Sequence, residues 1–205
     1  KVHLLNLSRT EELNVLDPVR GDVPATAGVT PHHLFLSDEI TAEGLAEKIN
    51  LCPERDRRSL WAAVKRGRLS CIASDHHVVT NTSTVPGSEL VFSLMMSAVQ
   101  TGRLSMKRFV SLCCETPAEI FSLKTKGRIE RGYDADLVLI SEGAVGPVSD
   151  DMLLSSAGWS PYSRRDAAPK PELVIVGGEI VARNGSLVNE KPTGKWVGEH
   201  STTTA

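Results

Sequence analysis

The chain has 205 residues, with 23 Lys plus Arg against 25 Asp plus Glu and a formal net charge of −2. That length holds one domain with a real core, or part of a domain with a small satellite. The interspersed, near-neutral charge excludes a phosphate-tracking nucleic-acid surface and a basic membrane patch.

Val2-His3-Leu4-Leu5-Asn6-Leu7 opens the chain as a short apolar run that stops at Ser8. Ser8 with Glu11 spells a capping box, which predicts a helix through about Leu16. Residues 23 to 30 form a second strand candidate ending at Pro31. The His32-His33 pair and Leu34-Phe35-Leu36 follow it. A helix is predicted from about Arg57 to Lys65, with Leu60, Trp61 and Val64 on one face and Gly67 at its end. The third strand candidate, Leu69 to Ala73, runs into Ser74-Asp75-His76-His77. Strands alternating with helices predict a parallel sheet covered by helices, and polar side chains at C-terminal strand ends are where such sheets place their chemistry.

Beyond the polar loop 78 to 88, Leu90, Val91, Leu94, Met95 and Ala98 recur at helical spacing, and Gly102 closes that helix. Ser105 caps a further helix, Met106 to Cys114. Thr116-Pro117-Ala118-Glu119 carries an N-cap, a Pro at the first position and a Glu at the third, predicting another start. From Lys126 the pattern changes to Gly-punctuated β-structure: Gly127-Arg128-Ile129, Gly132-Tyr133 and Ala135 to Ile140. Leu173 to Val176 and Glu179 to Ala182, joined by Gly177-Gly178, read as a hairpin. The organisation expected is a first unit at 1 to 125, a small β-layer at 126 to 190 and a flexible tail at 191 to 205.

No apolar run can cross a bilayer, and the first residues lack the layout of a signal peptide. Cys52, Cys71, Cys113 and Cys114 form neither a C-x-x-C pair nor a secreted disulfide framework. Reduced thiols and a cytoplasmic setting are the expectation.

Two strand-end side chains could bind a metal, His32 in TPHHLFL and Asp75 in ASDHH. Imidazole and carboxylate both suit zinc, and a carboxylate beside a bound water can take its proton. Taken alone, the same residues serve equally well as a hydrogen-bonded structural His and a capping Asp.

VHLLNLS, VTPHHLFLSDE, CIASDHH, PGSELVFSLMMSAVQTGRLS, TPAEIFSLKTKGRIERGYDADLVLI and WSPYS with VIVGGEIVARNG occur in one order over residues 1 to about 188. This series resembles the second half of bacterial-type dihydroorotases, metal-dependent cyclic amidohydrolases. The resemblance implies an α/β fold: strands five to eight of a (β/α)8 amidohydrolase barrel, plus the C-terminal part of a small flanking β-sandwich. It implies zinc as cofactor, His32 as a metal ligand, and Asp75 as both ligand and catalytic base. It also marks departures. Asn6 stands where the family has a ligating His, and an amide is a poor substitute on zinc. Val79 stands where a His contacts substrate, with His77 two positions earlier as a poor stand-in. Asn50 falls in a substrate-side loop that reads about two residues short without gaps.

The chain alone is therefore expected to be inactive. The functions implied are a dihydroorotase-like protein of pyrimidine biosynthesis with degenerate sites, a non-catalytic scaffold for aspartate carbamoyltransferase, or a fragment of a hydantoinase- or allantoinase-type hydrolase. Self-association or pairing with a complementary N-terminal half is expected from the open strand edges.

Overall fold

The computed structural model describes residues 1–39, 49–76, 85–141, 143–149, 153–155, 159–188 and 192–197. Three parallel strands organise the first part: β1 (Val2–Leu4), β2 (Ala25–Val29) and β3 (Cys71–Ile72), in the order β1-β2-β3. Leu4 pairs with Ala27, and Val29 with Ile72. Ala27 and Val29 point into a fully buried core with Leu13, Leu16, Leu60, Val64, Met95 and Leu112. The opposite face carries His3, whose Nδ1 lies 2.7 Å from Thr26 Oγ1. The resemblance implied four parallel strands, but three form this sheet among the described residues. β2 bonds directly to β3, which leaves no space for a strand between them.

Helices cover the buried face. α1 (Thr10–Val19) buries Leu13 and Leu16, one turn apart. Its cap differs from the sequence expectation: Arg9 is the extended N-cap, and Glu12, not Glu11, accepts from the N–H groups of Ser8 at 2.7 Å and Arg9 at 2.9 Å. Only the third helical residue reaches back to the cap, and the helix begins two residues after Ser8. α2 (Pro31–Phe35) is a short helix opened by Thr30 and Pro31. α3 (Glu54–Lys65) buries Leu60, Trp61 and Val64 and starts a turn earlier than expected. Trp61 docks it onto α2, with Nε1–H donating to the Leu34 carbonyl at 2.6 Å and the ring edge-on to Phe35.

α4 (Val91–Gln100) presents Leu94, Met95 and Ala98 to the core. α5 (Met106–Val110) is capped by Ser105, whose Oγ accepts from Arg108 N–H at 3.2 Å. A π-helical turn, Ser111–Glu115, joins it without a break to α6 (Thr116–Ile120). Thr116 has helical dihedrals, so it caps nothing; the capping signature is overridden by continuation of the preceding helix.

The second β-system is a four-stranded antiparallel sheet, β4 (Leu137–Leu139), β7 (Leu173–Val176), β8 (Glu179–Arg183) and β9 (Ser186–Leu187), in that order. Gly177 and Gly178, at φ +59° and +88°, make the expected hairpin turn between β7 and β8. Residues 127 to 133, read as β-structure, form turns instead. Gly127 and Gly132 take φ of +87° and +91°, and Lys126 gathers Asp134 and Asp136 around its ammonium group.

Between β4 and β7 the chain leaves this sheet. β5 (Gly146–Pro147) pairs with β6 (Asp166–Ala167), and Ala168 N–H reaches the Ser93 carbonyl of α4 at 2.9 Å. Val148 and Tyr162 are thereby buried with Leu36, Leu51, Val85 and Leu94 in a second core against the strand ends. Among the described residues no helix is long and apolar enough to cross a membrane.

Candidate functional site at the strand ends

Parallel strands put their C-terminal ends on one edge. The sheet hydrogen bonding runs past the strands themselves: Leu7 N–H reaches the Gly28 carbonyl at 2.9 Å, and Ala73 N–H the Val29 carbonyl at 3.1 Å. Asn6, His32 and Asp75 follow the three strands in turn, so all three come to that edge. Asn6 and Asp75 both adopt left-handed backbone, at φ +54° and +51°. Short polar side chains tolerate that region best, and it turns the chain sharply off each strand.

His32 is completely buried. Its Nδ1 lies 2.6 Å from the Tyr162 hydroxyl, and the two rings are parallel within 3° with centroids 5.4 Å apart. Its Nε2 faces Gly87: a Cβ there would stand 3.2 Å from Nε2 and collide with the Ser74 carbonyl oxygen. Gly87 N–H in turn donates to His76 Nδ1 at 3.1 Å, tying the loop end to the residue after Asp75. Tyr162 is the residue that sequence reading missed. Burial, and after it the negative charge of Asp75, pushes its phenol well above the usual range.

His33 is also buried. Thr30 Oγ1 accepts from His33 N–H at 3.3 Å and lies 2.8 Å from His33 Nδ1. Which of the pair donates depends on the tautomer of the His33 ring. Loss of hydration lowers the His33 pKa, opposed by the Asn50 carbonyl, the charges of Asp75 and Glu12, and the Ile49 carbonyl. Asn50 is exposed, at φ +53°, in the irregular stretch before α3, and brings its backbone rather than its amide toward His33. His77 and Val79 lie outside the described residues.

A zinc centre needs at least three protein ligands with good donor atoms. The edge offers one imidazole, one carboxylate and the Asn6 amide. Among the described residues no three His, Cys, Asp or Glu side chains gather closely enough to share an ion. His32 also has one ring nitrogen committed to Tyr162 and the other set against the Gly87 backbone. These residues do not fit a complete zinc site.

Three parallel strands under helices, with polar residues at their C-terminal edge, define an α/β scaffold, and a family model places the chain further. That model, the amidohydrolase family, matches residues 3–181, and the chain belongs to this family.

Among curated proteins it is similar to dihydroorotases of archaea. It is 37% identical over 183 residues to that of Methanosarcina mazei, covering 82% of this chain and 40% of the relative. It is 32% identical over 198 residues to that of Methanothermobacter thermautotrophicus, covering 91% and 45%. Against that of Pyrococcus horikoshii it is 30% identical over 203 residues, covering 95% and 47%. The chain thus spans less than half the length of these relatives.

Among solved structures it resembles the L-hydantoinase of Arthrobacter aurescens, with a TM-score of 0.80 at 23% identity over 91% of this chain and 46% of that one. The D-hydantoinase of a Thermus species gives 0.79 at 23%, over 94% and 47%. At that identity the hydantoinases speak to fold alone.

Proposed function

We propose that the chain is the C-terminal half of a dihydroorotase-like cyclic amidohydrolase of pyrimidine biosynthesis in which the catalytic site is incomplete. The parent reaction would open the cyclic amide of dihydroorotate to carbamoyl aspartate. The observation that carries the reading is the ligand set at the strand ends: His32 and Asp75 are kept, an amide occupies the first strand end, and among the described residues no third ligand gathers with them. The archaeal relatives favour dihydroorotase over hydantoinase as the parent. A cytoplasmic, non-catalytic partner of aspartate carbamoyltransferase is the role this implies, since loss of site residues with retention of packing leaves a surface rather than an enzyme.

The test is metal content by elemental analysis after dialysis against trace zinc, on the wild type, His32→Ala and Asp75→Ala, with dihydroorotate turnover assayed alongside. The expected result is no stoichiometric zinc and no turnover in any form. Stoichiometric zinc lost in both variants, with turnover in the wild type, would sink the non-catalytic reading and make the chain an enzyme.

A further inference from the structure

The contact between Tyr162 and His32 has a direction. Tyr162 is fully buried, and among the described residues its hydroxyl has one hydrogen-bond partner, His32 Nδ1 at 2.6 Å. A buried phenol must place its hydrogen on an acceptor. The hydroxyl is therefore the donor and Nδ1 the acceptor. A neutral imidazole carries a single proton, which must then reside on Nε2, the nitrogen facing Gly87.

Resting on the reading that His32 belongs to the strand-end site, we propose that Tyr162 is a positioning residue that holds His32 in its Nε2–H tautomer and so withholds the lone pair a metal ion would need. Metal-bound histidines commonly show the opposite polarity: the distal N–H donates to a carboxylate or carbonyl oxygen, and the bare nitrogen faces the ion. A carbonyl or carboxylate in place of the phenol would impose that form, because neither can donate. A hydroxyl whose own proton has no other acceptor among the described residues imposes the reverse. Tyr162 reaches His32 because β5 and β6 fold the intervening chain back onto α4, so the lock is built by the second core rather than by the sheet.

The experiment uses the full chain labelled with nitrogen-15 in its histidine rings, at about pH 8 where a histidine near its ordinary pKa is neutral. Long-range proton–nitrogen correlation reads the tautomer, and the His32 signals are those lost in His32→Gln. The wild type is expected to show a protonated Nε2 and a bare Nδ1. Tyr162→Phe keeps the packed ring and removes the hydroxyl; its His32 is expected to become a mixture of tautomers. A protonated Nδ1 in the wild type overturns the proposal, and that spectrum decides even if the variant does not fold. A folded Tyr162→Phe whose His32 stays wholly in the Nε2–H form overturns it too. The function proposed above fails separately, on zinc content and turnover of the wild-type chain.

Discussion

Gly87 shows how little room the strand-end site leaves around His32. Its φ of −136° is open to any residue, so the requirement for glycine is steric alone. A methyl group there would collide with the Ser74 carbonyl oxygen and sit 3.2 Å from His32 Nε2. Backbone cannot yield as a flexible side chain can, so Gly87→Ala is expected to destabilise the fold by about 1–3 kcal/mol, as overpacking does. Gly21 is the control, since the nearest atom to a Cβ there is 3.8 Å away. Thermal unfolding of the two variants checks the argument, and equal melting temperatures would refute it. At this scale the sequence located His32 and Asp75 beyond strand ends, because each follows an apolar strand. It could not expose Tyr162, which meets His32 across 130 residues and gives no local signal. Nor could it tell that Asn50 contributes backbone instead of side chain.

At the scale of elements, α3 depends on a charge cluster at its first turn. Glu54 is held at about pH 2 for half-protonation, chiefly by its hydrogen bond from Arg57, against burial and with help from Arg58. Its pKa in the fold thus lies below its ordinary value of 4.5. The sign follows from linkage: the unfolded chain binds the proton first, so the stabilisation is complete above 4.5 and is lost as pH falls toward 2. The group lies near the surface, so about 1 kcal/mol is expected rather than the full equivalent of the shift. Glu54→Gln should therefore lower the urea midpoint at neutral pH and flatten its decline below pH 4.5. A variant that declines as steeply as the wild type would remove Glu54 from the account.

The elements that were legible share a trait. The stripe Leu60, Trp61, Val64 and the turn Gly177-Gly178 carry their own periodicity or backbone requirement. The stretch 127 to 133 misled because its glycines serve turns around Lys126, and apolar Ile129 is left almost wholly exposed. Thr116 misled because a capping signature is local, while a helix already running through a π-turn is not.

At the scale of the molecule, the parallel sheet has an open edge at β1 among the described residues. Parallel sheets are ordinarily covered on both faces and at both edges, yet β1 and the residue after it leave Val2 48%, Leu4 37% and Leu5 67% exposed. These three lie on one short segment, without a Lys, Pro or bulge among them to discourage pairing. The β4-β7-β8-β9 sheet likewise exposes Val138, Leu139, Ile180 and Leu187. A chain that spans 40% to 47% of the three archaeal relatives named above leaves ample length in those proteins to cover such surfaces. The isolated chain is expected to associate at micromolar concentration through the β1 edge, because edge pairing satisfies backbone groups and removes apolar area from water together. Sedimentation velocity with a hydrophobic dye reports both. Val2→Lys with Leu5→Lys should shift the distribution toward monomer, since two ammonium groups on an edge must be desolvated for a strand to add. A wild-type monomer with low dye signal would mean that the exposed segment folds back on its own sheet, and would refute association through the β1 edge.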